Sequence, residues 1–364
     1  MNLHKTFIIV AIVCGVVGIV LGLANNIEHA GPFFIGFFLF LAIGFRKYQI
    51  LKGYSYSLII FSAVTLALYY PSNFVVFNGF KLSNLIIPLI QIIMFGMGSS
   101  MSIKDFIGVI KSPKGVGIGV MCQITIMPIL GLVLANLSGF PPEIAAGLIL
   151  IGCSPSGLAS NVMSYLANAN LALSITITTV STLLAPFLTP LLMQVLAGAF
   201  VEIDMMAMMW GIVKMVIFPI GAGLIFNKVF KNKVKWINEI MPLISMFGIA
   251  VIIVIITAAG RDSLLSMGLL LILLVFIHNA LGYLLGYWAG RIFRLSERDC
   301  RTLSFEVGMQ NGGLASGIAK EMGKIATLGL AAGVFGPLMN ITGSALASYW
   351  HRNVPNNKTS SNLE

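Results

Sequence analysis

Long apolar stretches recur along the whole chain and are separated by short polar segments. A bilayer core of about 30 Å needs roughly 20 helical residues at about 1.5 Å each. Twelve stretches approach that length: 7–24, 29–45, 55–71, 84–100, 115–136, 143–166, 171–196, 206–227, 237–258, 264–290, 302–319 and 325–349. The pattern therefore predicts an all-α, multi-pass membrane protein. The second stretch has a short clean apolar part, residues 32–45, and a re-entrant or interfacial segment is the alternative there.

The composition points to a membrane setting. Hydrophobic residues make up 58% of the 364-residue chain and charged residues only 9%, whereas a soluble domain is about 25% charged. Such a chain has too few charges to coat a water-exposed surface, which argues strongly against a water-soluble enzyme and for a lipid bilayer as its surroundings. The formal net charge is +10. The basic residues are spread over short loops, so nucleic acid is not an expected partner.

The distribution of basic residues indicates an orientation. If the chain starts in the cytoplasm and alternates, seventeen Lys and Arg residues fall on the cytoplasmic side, four fall outside and Lys214 lies within a span. Cytoplasmic loops are enriched in Lys and Arg, so this split supports twelve spans with both termini cytoplasmic, in the inner membrane of a cell. The polar tail, residues 351–364, is expected to be disordered.

A short repeat divides the chain into two halves. The tetrapeptide Gly-Leu-Ala-Ser at 157–160 recurs at 313–316, and both copies interrupt an apolar span. Both fall in the fourth span of a five-span unit, the first unit being 54–205 and the second 206–350, with 1–53 outside the repeat. Because five is odd, the second unit would cross the membrane in the opposite sense. Inverted repeats with paired interruptions are typical of transporters that bind substrate at the membrane midplane. A pair of packing kinks is the alternative.

One acidic residue stands apart from the others. Glu306 lies a full turn inside the span that follows Arg301, just ahead of the interruption at Gln310-Asn311. A carboxylate inside a membrane span is costly and is by default a candidate functional residue. A bound cation or a proton could neutralise it. Pairing with Arg301 near the cytoplasmic interface is the structural alternative.

Hard oxygen donors accompany the two interruptions. Ser174 and Thr178 are four residues apart and therefore share one face of the seventh span. The other candidates are Gln123 in the fifth span, Ser160 and Asn161 after the first interruption, and Gln310 after Glu306. One carboxylate with several hydroxyl and amide oxygens suits a hard monovalent cation, and the lack of a His/Cys cluster in the sequence disfavours zinc or copper. A hydroxyl that bonds its own backbone or a neighbouring helix is the ordinary alternative for each Ser or Thr.

Three other polar residues lie within spans. We expect Lys214 to snorkel or to pair inside the protein. His278 and Asn279 sit mid-span, where hydrogen bonding between helices is favoured over a direct functional role.

Four segments resemble the bile acid:sodium symporter family, most closely its bacterial members. They are 94–98 (MFGMG), 152–166 with 172–174 (GCSPSGLASNVMSYL and ALS), 278–286 (HNALGYLLG) and 306–311 (EVGMQN). The resemblance covers about residues 55–350. It implies ten helices in two inverted five-helix repeats, forming a panel domain and a core domain in which two broken helices cross. The sixth and eleventh spans would be the crossing pair, and the two extra N-terminal helices depart from that plan.

The resemblance also implies binding residues and two sodium ions. The first sodium site would use Ser160, Asn161, Ser174, Thr178 and Glu306, and the second would use Gln123, Glu306, Gln310 and the backbone carbonyls of Val307 and Met309. The substrate would bind at the crossing, beside Leu158, Ala159, Asn311, Gly313 and Asn340. Leu158 stands where family members commonly carry Thr, which makes the cavity less polar.

The sequence thus predicts a sodium-coupled symporter that takes up an organic anion, either bile-salt-like or a small carboxylate. No nucleophile–base pair or phosphate-binding loop is placed for catalysis, so an enzyme is not expected. A proton-coupled transporter on the same fold, with Glu306 as the proton carrier, is one alternative. A non-transporting membrane sensor or enzyme on the same scaffold is the other.

Overall fold

The computed structural model of the chain describes residues 3–24, 26–48, 51–101, 113–230 and 235–353. This part is almost entirely helical, as the apolar stretches predict. The tail that the sequence predicts to be disordered lies outside the described residues from position 354 onwards.

The N-terminal region is a helix pair attached to the side of the molecule. Helix α1 (Leu3–Leu23) packs along α2 (Ile27–Phe45), which in turn packs on α3 (Ser55–Tyr69). A 3-10 turn (Lys52–Tyr54) precedes α3, and a short helix, α4 (Ser72–Val75), follows it. The chain then forms a small antiparallel hairpin of β1 (Val76–Phe77) and β2 (Phe80–Lys81). Its turn residues, Asn78 and Gly79, both have positive φ, as a two-residue hairpin turn requires.

The middle of the chain provides the first broken helix. After a 3-10 turn (Leu82–Leu85) come α5 (Ile86–Ser100), α6 (Pro113–Ser138), α7 (Pro142–Cys153), α8 (Ala159–Leu166) and α9 (Leu171–Ala197). Helices α7 and α8 share one predicted span, which is interrupted between them.

The C-terminal part provides the second broken helix. It contains α10 (Met205–Ile212), a π-helical segment (Val213–Ile217), α11 (Phe218–Phe230), α12 (Lys235–Ala259), α13 (Arg261–Ile292), α14 (Glu297–Gly308), α15 (Gly312–Glu321) and α16 (Leu330–Arg352). Helices α14 and α15 share the second interrupted span.

The helices account for all twelve predicted spans. Within the described residues, eight helical stretches are long and apolar enough to cross a membrane, judged by length and composition: Leu3–Leu23, Ile27–Phe45, Leu82–Ser100, Pro113–Ser138, Leu171–Ala197, Met205–Phe230, Arg261–Ile292 and Leu330–Arg352. The other four predicted spans correspond to α3, to α12 with its apolar part Leu243–Ala259, and to the two broken pairs. Each broken half is too short to cross alone, because 12 or fewer residues span about 18 Å. The chain is a multi-pass membrane protein.

Helices pack closely around the broken pairs. The largest fully buried side chains include Phe305, Phe335 and Ile149. Glycines bring some backbones together: Gly98 of α5 lies against the backbone of Ile220, and Gly223 of α11 lies against α5, so a side chain at either position would collide with the opposite backbone. Large apolar side chains also cover the outer surface, as expected where the solvent is lipid.

Candidate functional site

Two interruptions leave helix ends deep inside the molecule. Helix α7 ends at Cys153 and the chain turns to an extended conformation at Ser154, just before Pro155, which lacks an N–H. Helix α14 ends at Gly308, Met309 is extended, and Asn311 starts α15 by accepting a hydrogen bond from Leu314 N at 3.0 Å. Both interruptions fall where the sequence predicts them.

The two interruptions cross and pair with each other. Gly157 N donates to Met309 O at 2.9 Å, and Asn311 N donates to Pro155 O at 2.8 Å. Ser156 and Gln310 form an isolated antiparallel β-bridge between these two bonds. Each interruption therefore donates one backbone hydrogen bond to the other and accepts one from it. These bonds satisfy backbone groups that lipid could not satisfy.

Gly157 allows this close approach. A Cβ atom there would lie 2.7 Å from Gln310 O, closer than real Cβ contacts come, and 3.2 Å from its carbonyl carbon, which is a tight contact. Any larger residue would push the two segments apart.

Side chains satisfy the carbonyls that the broken helices leave free. Thr189 Oγ1 donates to Cys153 O at 2.8 Å and Gln123 Nε2 donates to Ser154 O at 3.0 Å. On the other helix, Asn279 Nδ2 donates to Gly308 O at 2.8 Å. The last carbonyls of an α-helix have no partner within the helix, so polar side chains on α6, α9 and α13 hold the broken ends.

Glu306 lies fully buried beside the crossing. Its Oε1 accepts hydrogen bonds from Ser160 Oγ at 2.6 Å and Ser174 Oγ at 2.5 Å, and its Oε2 accepts from Thr178 Oγ1 at 2.8 Å. The three hydroxyls come from α8 and α9, whereas the carboxylate comes from α14. The structure thus brings together both interrupted spans and the seventh span, as the sequence predicts. The alternative pairing of Glu306 with Arg301 is wrong.

Arg301 has other partners. Its Nε bonds Glu297 Oε1 at 3.0 Å, and its remaining nitrogens donate to Ala167 O, Trp350 O and Asn353 O. The i, i+4 spacing of Glu297 and Arg301 on α14 explains the pairing. Glu306 is one helical turn and a half further on, with hydroxyls in place of a basic partner.

The cluster around Glu306 has more acceptors than protons. Ser174 Oγ lies 2.8 Å from Asn161 Oδ1 as well as 2.5 Å from Glu306, and Ser160 Oγ lies 2.8 Å from Gly157 O as well as 2.6 Å from Glu306. Each hydroxyl carries a single proton and can satisfy one acceptor at a time. The Asn161, Gly157 and Glu306 oxygens therefore compete, and a small hard cation is the ligand that such an oxygen-rich, net-negative cluster suits.

The second predicted set of residues forms a neighbouring amide cluster. Gln123 Nε2 donates to Gln310 Oε1 at 2.7 Å, and Gln310 Nε2 donates to Val307 O at 2.7 Å. Met309 O is the acceptor for Gly157 N at the crossing. A cavity of about 10 Å³ borders this cluster, lined in part by Gln123 and Ser154. Glu306 directly precedes Val307 in the chain, but its described hydrogen bonds go to the hydroxyl cluster.

Four of the five predicted substrate residues flank the crossing in the chain, and Asn340 lies on α16. Leu158, Ala159 and Gly313 are partly exposed where α8 and α15 begin, and a Cβ at Gly313 would meet nothing closer than Asn311 Oδ1 at 3.4 Å. Asn311 is nearly buried, and its side chain caps α15. Asn340 donates to Gly336 O of its own helix, α16, at 2.8 Å.

Sequence reasoning named Asn279 as an interhelical hydrogen-bonding residue but did not predict that it braces the second interruption. Asn279 accepts a hydrogen bond from Thr342 Oγ1 at 2.6 Å while it donates to Gly308 O, and Tyr283 OH donates to Met339 O at 3.1 Å. Bonding between helices is the expected role of the His278-Asn279 pair, and His278 Nε2 lies 3.0 Å from Met127 O of α6. The sequence places Asn279 mid-span, but no spacing rule indicates that its partner is the end of α14.

A multi-pass helical protein whose two broken helices meet at a buried carboxylate has the architecture of a secondary transporter. Comparisons with known proteins agree. A family model, the Sodium Bile acid symporter family, matches residues 87–267. The uncharacterized sodium-dependent transporter YocS of Bacillus subtilis (strain 168) is 37% identical over 310 residues, which cover 85% of this chain and 94% of that protein.

Plant proteins are similar as well. The probable sodium/metabolite cotransporter BASS1, chloroplastic, of Arabidopsis thaliana is 33% identical over 266 residues, covering 73% of this chain and 66% of that protein. The protein of the same name from Oryza sativa subsp. japonica is 35% identical over 277 residues, covering 74% of this chain and 68% of that protein. The chain belongs to the sodium bile acid symporter family. It is a transporter and not an enzyme.

Proposed function

We propose that this protein is a sodium symporter that takes up an organic anion by alternating access. The observation that carries the proposal is the fully buried Glu306, ringed by three hydroxyls and a carbonyl-rich crossing. An ionised carboxylate removed from water needs a counter-charge. The names of the relatives, a sodium-dependent transporter and a probable sodium/metabolite cotransporter, support Na⁺ as that cation.

We propose two sodium ions, one for each set of oxygens. The first would be held by Ser160, Asn161, Ser174, Thr178 and Glu306, and the second by Gln123, Gln310, Glu306 and the carbonyls of Val307 and Met309. In the first set, the hydroxyls hydrogen-bond directly to the Glu306 carboxylate. In the second set, the Gln123 and Gln310 amides hydrogen-bond to each other, and they would turn their oxygens towards the ion. An amide can do so because its oxygen and nitrogen ends are interchangeable by rotation.

Ion and substrate binding would be linked through the crossing. Sodium would neutralise Glu306 and fix the paired interruptions, and the adjoining starts of α8 and α15 then offer their positive helix ends to an organic anion. Each ligand would tighten the other's binding by the same factor. With both ligands bound, the core domain would move against the panel domain. Each of these domains would contain helices from both inverted repeats, residues 54–205 and 206–350.

Uptake by purified protein in liposomes tests this function. An inward sodium gradient should drive accumulation of radiolabelled cholate or pyruvate, and an equal potassium gradient should not. Accumulation driven by a proton gradient in the absence of sodium would instead support proton coupling through Glu306. Gln310→Leu, which removes an amide oxygen of the second set only, should lower the Hill coefficient for sodium from near two towards one.

A further inference from the structure

The span formed by α10 and α11 contains a widened segment that sequence reasoning left without a role. Residues Val213–Ile217 are π-helical, a form that occurs mostly as single-turn bulges, often at functional sites. The bulge leaves the Lys214 carbonyl available, and Gln91 Nε2 of α5 donates to it at 3.2 Å. A side chain from a neighbouring helix thus stabilises the irregular turn that carries a lysine.

Helix α15, which begins at the second interruption, packs against this segment. Gly317 of α15 lies against Met215 and Ile90. The carboxylate of Glu321, at the end of α15, lies directly against Gly211, where any side chain would collide with it. Lys214 follows α10 within the π-helical segment, between Gly211 and Met215, which both lie against α15, and it therefore borders the seam with α15.

The Lys214 side chain borders this seam, and the described residues offer its ammonium no close partner. Its side chain is exposed, and within the described residues no hydrogen bond or ion pair within 4 Å involves it. It is nevertheless close enough to the Glu321 carboxylate for the two charges to attract each other. A lysine inside a membrane span is costly unless it faces water or an anion, so this position suits a hydrated cleft.

The seam leads to the crossing. Six residues separate Asn311 from Gly317, which is about 9 Å along a helix. An anion bound at the crossing and extending along α15 would approach the segment that carries Lys214, towards the outer side predicted from the basic residues.

We propose that Lys214 is the residue that recognises the negative charge of the transported solute, and that the nearby Glu321 carboxylate competes with the solute for the attraction of that ammonium. This inference rests on the proposed function and names its specificity-determining residue. The ligand class is an organic carboxylate. Recognition needs no covalent step, because the solute carboxylate is attracted to the ammonium by charge alone.

Binding of cholate and of pyruvate to the purified protein in sodium buffer tests the inference. Lys214→Gln should weaken binding of the carboxylate that the wild type prefers at least tenfold, and Lys214→Arg, which keeps the charge, should restore most of it. Glu321→Gln should tighten binding several-fold because it removes the competitor. Lys320→Gln is the matched control: Lys320 is adjacent to Glu321 but donates to Ser83 Oγ at 3.1 Å, so its loss should leave affinity within twofold.

Lys214→Gln is expected to weaken binding and Glu321→Gln to tighten it. Misfolding would weaken binding in both variants, so it cannot produce this result. Unchanged affinity in Lys214→Gln, or no gain in Glu321→Gln, would overturn the inference, as would failure of both carboxylates to bind the wild type. Thermal stabilisation by sodium alone, measured on the same variants, separates this failure from that of the proposed function. If sodium stabilises wild type and Lys214→Gln equally while the variant still binds the anion normally, only the role of Lys214 is wrong.

Discussion

At the scale of single residues, the site depends on hydroxyls that look ordinary in the sequence. Thr176 and Thr178 lie two positions apart on α9, and both are buried. Thr176 Oγ1 bonds Ala172 O of its own helix at 2.8 Å, whereas Thr178 Oγ1 bonds the Glu306 carboxylate at the same distance. Two identical side chains therefore have different roles, because α9 presents one to its own backbone and the other to α14.

This pair gives a matched test of the first sodium site. Thr178→Val removes one oxygen donor without changing the shape of the side chain, and we expect it to raise the Kd for sodium about tenfold, equivalent to about 1.4 kcal/mol. Thr176→Val should change the Kd less than twofold. Sodium titration followed by intrinsic fluorescence or calorimetry measures both. Equal effects of the two substitutions would mean that Thr178 has no special role.

The sequence could predict the residues of the hydroxyl cluster but not their pairings. Glu306 is recognisable because a lone carboxylate inside a span is expensive. Spacing alone could not decide between Arg301 and the hydroxyls as its partners, because that choice depends on how α14 is rotated against α8 and α9. The buried, multiply bonded Arg301 belongs to the cytoplasmic end predicted from charge, where it joins α14 to the ends of α8 and α16.

At the scale of elements, the crossing requires two backbones to come within hydrogen-bonding distance. Gly157→Ala would place a Cβ against Gln310 O and force the two interruptions apart. We expect sodium-induced stabilisation to fall to less than a third of the wild-type value in thermal unfolding. Gly117→Ala on α6 is the control, since a Cβ there meets nothing within 4 Å. A crossing that tolerates alanine at 157 with full sodium response would show that close approach is not needed.

The bracing of the second interruption makes a separate prediction. Asn279→Leu removes the donor to Gly308 O and leaves that buried carbonyl unsatisfied, at a cost of about 1–3 kcal/mol. We expect a lower melting temperature even without sodium, together with weaker sodium binding. Asn136→Leu should do neither, because Asn136 is exposed and bonds Leu132 O of its own helix. If both variants melt alike, Asn279 does not support the end of α14.

The elements were predictable where a local signal exists. Pro155 and the Gln-Asn-Gly-Gly run at 310–313 mark the interruptions, because each disfavours a continuous helix. The π-helical segment at Val213–Ile217 has no such signal: its residues are ordinary helix formers, and its stabilisation by Gln91 comes from another helix. Contacts between distant elements therefore decide features that periodicity leaves open.

At the scale of the whole molecule, the arrangement of basic residues predicts that both termini are cytoplasmic. Green fluorescent protein folds in the cytoplasm, and alkaline phosphatase needs an oxidising compartment to become active. Fusions of the first to either end should fluoresce, and fusions of the second should be inactive. Active phosphatase at either terminus would contradict the orientation and place the Lys214 seam on the inner side.

The helical, multi-pass plan followed from hydrophobic length, while the placement of the N-terminal pair did not. Twelve apolar stretches and the repeated tetrapeptide predict the number of spans and the position of both interruptions. Nothing in 1–53 indicates that α2 would pack on α3 with α1 alongside α2, since their apolar surfaces suit lipid and protein equally well. In the fold, Gly31 of α2 lies against the Tyr69 ring of α3. The sequence alone does not indicate this contact.

The most direct test of the sodium site compares wild type with Glu306→Gln, an isosteric change that removes only the charge. Thermal unfolding of both proteins is followed as sodium replaces potassium at constant ionic strength. Wild type should gain about 2.7 kcal/mol when sodium reaches a hundred times its Kd, and the variant should gain almost none. Stabilisation of wild type by potassium to the same degree, or of the variant by sodium to the same degree, would contradict a sodium ion held by Glu306.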